Sequence, residues 1–233
     1  MFILSFSNVR PSSRCRCTQN WHNHTYSILS HSGVDSGLSN RPWDSGTGYY
    51  EHPLLISCYG DIKKSKLFAK YSDRISSYFW RKALLKIKSL TSKHRLLKFP
   101  MLSFLLPPLL SDIGLYPVCI VIYRNSSDYA ASYYKLNTKL DYNYIKQVYL
   151  DTYRQSLLIS GLFKTIFISY EDLCNETLTP NFDLLEEYLG ITSSSLIANR
   201  NSLVKHRTLT KVSIINDIEC NALFNIMETL KIT

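Results

Sequence analysis

The chain has 233 residues, enough for one ordinary domain whose folding buries roughly 70% of the surface the unfolded chain exposes. Hydrophobic residues at 45% against 19% charged exclude wholesale disorder, and six scattered cysteines exclude a disulfide framework. A formal charge of +9, from 27 Lys and Arg against 18 Asp and Glu, favours an anionic partner: nucleic acid, an acidic membrane surface, or a phosphorylated or sulfated small molecule.

Residues 1–6 are an apolar run too short for a signal-peptide core, and 2–6 read as a short buried strand. Residues 8–48, rich in Ser, Asn, Gly and Arg, read as loop with one helix near 26–29. Within it, Cys15-Arg16-Cys17 followed by His22 and His24 is poorly spaced for a shared zinc tetrahedron and reads as ordinary thiols. From 62 to 90 apolar residues recur every three or four positions among lysines. That spacing predicts amphipathic helices with a solvated basic face.

Residues 96–99 form a short apolar run closed by Pro100, and 102–110 predict a helix started or kinked by Pro107 and Pro108. The stretch 118–123 is β-branched without polar alternation, as expected for a strand covered on both faces in a parallel sheet. A helix starts over 128–135. A longer one spans 144–159, with Ile145, Val148, Tyr149, Thr152 and Leu157 near one face and Gly161 as its stop. Residues 165–170 predict a second buried strand, and a helix runs from Pro180 to Leu189 with Gly190 as its stop.

Strands alternating with helices predict a single α/β domain over 1–233: three layers, a central mostly parallel sheet flanked by helices. Ligands of such sheets bind beyond the carboxyl ends of the strands, which points to the segments after Phe6, Phe99, Tyr123 and Tyr170. The most membrane-like stretch, 102–123, is broken by Pro107, Pro108, Asp112 and Pro117, so no transmembrane segment is expected. Sequons at Asn23, Asn125 and Asn175 carry no weight without a secretory signal. The chain is expected to be soluble and cytoplasmic.

After the 118–123 strand the sequence runs Arg124-Asn125-Ser126-Ser127-Asp128-Tyr129-Ala130-Ala131-Ser132-Tyr133-Tyr134. A guanidinium leaving a strand end can fork onto a phosphate, and a hydroxyl at Ser132 can return to the same anion. On the residues alone, an anion clamp and an ordinary loop arginine with a small helical serine both stay open. Glu171 and Asp172, at the end of the next strand, read as caps or braces rather than catalytic acids.

Strand–Arg–x7–Ser–Tyr-Tyr resembles the segment of sulfotransferases that holds the 3′-phosphate of the donor 3′-phosphoadenosine 5′-phosphosulfate (PAPS). Ile168-Ser169-Tyr170-Glu171-Asp172-Leu173 is similar to a strand-plus-YEDL element later in that family, and Tyr188-Leu189-Gly190-Ile191 to its next helix end. Lys98-Phe99-Pro100 sits where many bacterial and carbohydrate sulfotransferases have K-D-P-R. Gly48-Tyr49-Tyr50-Glu51 resembles their G-[YF]-x-E segment. The likeness is collinear over most of the chain and strongest over 96–191.

The resemblance implies a P-loop-like sulfotransferase fold and sulfuryl transfer from PAPS to a hydroxyl or amine acceptor, a carbohydrate first among them. Arg124 and Ser132 would hold the 3′-phosphate; Arg10, with Ser12 and Ser13, would hold the 5′ side, Arg10 also stabilising the transferring group. Glu51 is the implied base, with His52 beside it, and Lys205, His206 and Arg207 would close over the nucleotide. No metal and no nucleic acid are called for; the partner is a small-molecule or glycan acceptor, and oligomeric state is not encoded.

The family's donor loop is R-S-G-T-[ST], whereas this chain has Arg10-Pro11-Ser12-Ser13. Pro11 removes one backbone N–H and Ser12 replaces the glycine. The S-G-T string at 45–47 has no strand before it and is read as chance. The loop is therefore either a working variant or one that has lost the donor. In the second case the chain is a catalytically impaired protein of this fold that binds an anionic ligand or partner. A nucleotide kinase is disfavoured by the missing G-x-x-x-x-G-K-[ST].

Overall fold

The computed structural model describes residues 2–5, 53–93, 96–98, 106–136, 141–174, 182–190, 192–204 and 217–231. Those residues are mostly helical around a small sheet, an α/β arrangement. Strands β1 (Phe2–Ser5), β2 (Leu96–Lys98), β3 (Val118–Tyr123) and β4 (Thr165–Ser169) lie in the order β2-β1-β3-β4. β3 and β4 are parallel, from Cys119 opposite Thr165 to Tyr123 opposite Ser169. β1 is antiparallel to both neighbours, with Ile3 opposite Lys98 and Ser5 opposite Val118.

The expectation of a mostly parallel sheet is corrected at β1. Strands β2, β3 and β4 point one way, and β1 runs against them, so one of the three pairings is parallel. The physical reason is that a short apolar strand has the same hydrophobic pattern read in either direction. Its alternation specifies which faces are buried, not which way the chain runs.

β3 and β4 are buried on both faces, as their unbroken apolar runs predict. Cys119, Val121, Tyr123 and Phe167 face one continuous core, while Ile120, Ile122, Ile166 and Ile168 are buried outside that cluster. The first face is covered by α5 (Tyr142–Ser160) and α9 (Ile218–Leu230), which contribute Ile145, Tyr149, Tyr153, Cys220, Leu223 and Met227. Each such fully buried large apolar side chain contributes roughly 1.5–3 kcal/mol relative to exposure.

The helical spacing over 62–90 resolves into a hairpin of α1 (Pro53–Phe68) and α2 (Asp73–Thr91). α1 buries Leu55, Cys58, Ile62 and Ser65 at three- and four-residue steps, and α2 buries Ala83, Ile87 and Leu90 at the same steps with Thr91 beside Leu90. Ser72 caps α2, its hydroxyl accepting from the Ile75 N–H at 3.4 Å. Asp61, almost wholly buried, is paired with Lys86, which also donates to Ser57 Oγ at 2.6 Å.

Shorter helices complete the described residues: α3 (Leu106–Ser111), α4 (Ser126–Leu136), α6 (Tyr170–Cys174), α7 (Asp183–Leu189) and α8 (Ser193–Val204). α7 ends as predicted at Gly190, whose φ of 64° is left-handed and whose N–H donates to the Glu186 carbonyl at 2.8 Å. The buried stripe of α5 runs through Ile145, Tyr149, Tyr153, Ser156 and Ile159. Tyr149 and Tyr153 meet Tyr129 edge to face, with ring centroids 4.8–6.1 Å apart, which puts three of the chain's 17 tyrosines in one cluster. No helix among the described residues is long and apolar enough to cross a membrane.

Candidate functional site

The carboxyl ends of β2, β3 and β4 share one end of the sheet, and there β3 delivers Arg124. Its guanidinium lies over the ring of Tyr170, 4.7 Å from the centroid, at the point where β4 passes into α6. It also faces Asp128 Oδ2 at 3.6 Å, an ion pair longer than a charge-assisted hydrogen bond. Its carbonyl accepts from the Tyr149 hydroxyl at 3.2 Å. The side chain is 21% exposed.

Asn125 caps α4. Its Oδ1 accepts from the Asp128 N–H at 2.8 Å, and Asp128 Oδ2 in return accepts from its Nδ2 at 3.1 Å. This is a reciprocal cap built from Asn and Asp three residues apart. Asn125 also donates twice to Glu171 Oε1, from its backbone N–H at 3.1 Å and from Nδ2 at 2.8 Å. Ser169 Oγ donates to Glu171 Oε2 at 3.3 Å. Glu171 therefore straps the loop after β3 to the start of α6, the bracing role expected of it. Burial raises its pKa above the ordinary carboxylate value, against the donors from Asn125 and the charge of Arg124.

Asp172 is engaged from the other side. Lys231 Nζ donates to Asp172 at 2.9 Å and to Glu228 at 2.6 Å, and Glu228 accepts from the Tyr123 hydroxyl at 2.7 Å. Burial, then the Glu228 hydrogen bond, push the Tyr123 phenol far above its usual range. Lys231 is held charged by both carboxylates. This chain of contacts ties the end of α9 to β3 and α6 behind Arg124. An isolated parallel bridge pairs Lys231 with Phe167 of β4.

Among the predicted site residues, Arg124 stands where expected, and Ser132 lies in α4 one turn beyond Asp128. Arg10, Ser12, Ser13 and Glu51 lie outside the described residues, as do His52, Phe99, Lys205, His206 and Arg207. β1, which precedes Arg10, ends at Ser5 opposite Val118, the first residue of β3. The chain thus leaves β1 at the end of the sheet away from Arg124. Asn125, Asp128, Tyr170 and the Glu228–Lys231 pair were not singled out from sequence. Asn-Ser-Ser-Asp over 125–128 carried the capping signal for two of them.

Among the described residues no group of three His, Cys, Asp or Glu side chains converges as a metal site. Cys58, Cys119 and Cys220 are buried thiols whose pKa values burial raises to about 12, about 12 and about 11. Such thiols are unreactive as nucleophiles at neutral pH. No protein-family model matches the chain, and no curated protein or solved structure matches it either.

Proposed function

We propose that the chain is a cytoplasmic sulfotransferase of three-layer, P-loop-like architecture, moving a sulfuryl group from PAPS to a hydroxyl or amine acceptor, foremost a carbohydrate. One observation carries this reading. The strand followed by Arg124 and the strand followed by Tyr170-Glu171-Asp172-Leu173, the two segments that resemble the family most, are parallel neighbours whose following residues interlock through Asn125 and Glu171. Arg124, held over Tyr170, takes the 3′-phosphate, with Ser132 returning its hydroxyl to the same group. Arg10, Ser12 and Ser13 take the 5′ side, and Glu51 accepts the acceptor's proton.

In that reaction the acceptor oxygen or nitrogen forms a bond to sulfur as the bond from sulfur to the bridging oxygen of the donor breaks. The leaving group is 3′-phosphoadenosine 5′-phosphate. Positioning and charge stabilisation supply most of the rate, so loss of a phosphate-holding arginine weakens donor binding and turnover together. The test is donor-dependent release of that product with a panel of glycan acceptors. Arg124→Ala is expected to lower kcat/KM for the donor at least tenfold; an unchanged value would remove the clamp assignment.

A second reading is favoured by two observations of its own. β1 hands its chain on at the sheet end away from Arg124, and Asp128 already faces the guanidinium. On that reading the chain is a non-catalytic protein of the same fold that binds an anionic ligand at Arg124. Nucleotide binding without any transfer to acceptor selects it.

A further inference from the structure

The chain's positive charge is concentrated in one place. Residues 53–93, the α1–α2 hairpin, hold ten Lys and Arg against two Asp, a net +8 within the chain's +9. Of the two acids, Asp61 is buried against Lys86, and Asp73 sits about 140° round α2 from Tyr78. The outward arc of α2 therefore carries no carboxylate. Arg74, Arg81 and Lys88 are exposed along one line at seven-residue steps, spanning about 21 Å. Beside that line run Tyr78 and Leu85, 60% and 68% exposed, and on their far side Lys82 and Ile75.

The order across this face is cation, apolar seam, cation. A merely solvated helix face has no reason to expose an aliphatic seam at its centre. Reading base edges calls for hydrogen-bonding side chains at the middle of the face, where Leu85 and Tyr78 stand instead. A helix lying on an anionic bilayer needs this order: apolar side chains at the acyl boundary, a tyrosine at headgroup level, and long basic side chains reaching lipid phosphates on both flanks. The end of α1 and the turn after it add exposed Leu67 and Tyr71, with Lys66 and Lys70 beside them.

We infer that the outer face of α2, with the α1–α2 turn, is a docking surface for anionic phospholipid membranes. It rests on the hairpin alone and stands or falls apart from sulfuryl transfer.

The test is co-sedimentation of the full chain with vesicles of phosphatidylcholine alone, and of equal parts phosphatidylcholine and phosphatidylserine. The protein is expected to bind the mixed vesicles in a salt-sensitive way and to leave phosphatidylcholine vesicles unbound. Arg81→Gln with Lys88→Gln should weaken partition about 30-fold at low salt, taking a contribution of about 1 kcal/mol for each cation near the surface. Tyr78→Ser with Leu85→Ser should also weaken it while the salt dependence survives. All four positions are exposed, so unchanged far-ultraviolet circular dichroism is expected of both variants. Equal binding to both vesicles, or wild-type partition of the charge variant, would overturn the inference. So would absence of vesicle binding together with capture of a short oligonucleotide that the charge variant loses and the apolar variant keeps; that result assigns the face to nucleic acid.

Discussion

Burial works against ionisation of Glu171. Its folded-state pKa stands above the unfolded value, so across that window the native chain holds a proton that the unfolded chain has released. Stability is therefore lost as pH rises from about 4.5 through the folded pKa. Glu171→Gln keeps an oxygen for the two Asn125 donors and removes the titration. The unfolding free energy of the wild type minus that of the variant should fall as pH rises through the window, in urea titrations from about pH 4 to neutrality. A difference that grows with pH would mean that Arg124 outweighs burial. Arg124 itself was legible, because a buried strand pattern fixes where the first charged residue emerges. Its partner Tyr170 was not, because it meets the guanidinium only where β4 and α6 lie beside β3, whereas Asp128 is a local neighbour at i+4.

Gly161 and Gly190 each directly follow a helix, and they look alike in the sequence. Gly161 closes α5 with a φ of −74°, ordinary right-handed backbone, whereas Gly190 closes α7 at 64°. Alanine at position 190 meets open space but a disfavoured backbone and should cost about 1 kcal/mol. At position 161 its Cβ would lie 3.4 Å from the Leu158 carbonyl oxygen, and the substitution should be neutral or stabilise by about 0.5 kcal/mol. Equal effects in chemical denaturation would contradict that distinction. Sequence reading found β3 and β4 from unbroken apolar runs and α1, α2 and α5 from helical periodicity. α9 went unread, although Asp217 accepts from the Glu219 and Cys220 N–H groups and Cys220, Leu223 and Met227 recur on one face. The face of α5 was read through Ile145 and Tyr149, which are buried, but also through Val148, Thr152 and Leu157, whereas Tyr153 completes the buried stripe, because a tyrosine packs its ring against its neighbours while its hydroxyl finds a partner.

At the scale of the molecule, two features escaped the hydrophobic pattern. Strand direction is one: β1 is a strand, but it runs antiparallel to both neighbours where a mostly parallel sheet was expected, since pairing direction depends on long connections. Charge distribution is the other. The +9 total was plain from composition, but the hairpin gathers +8 of it into residues 53–93, the two helices with their turn, well apart in sequence from Arg124. An anionic nucleotide at Arg124 and an anionic surface at α2 are thus separate expectations with separate salt dependences.

The central claim is that Arg124 belongs to a site for the adenosine-3′,5′-bisphosphate part of PAPS, and calorimetric titration with 3′-phosphoadenosine 5′-phosphate tests it most directly. Micromolar binding to the wild type, lost in Arg124→Ala and in Arg10→Ala with both variants folded, is the expected result. No heat of binding at millimolar ligand, from protein shown to be folded, would contradict it.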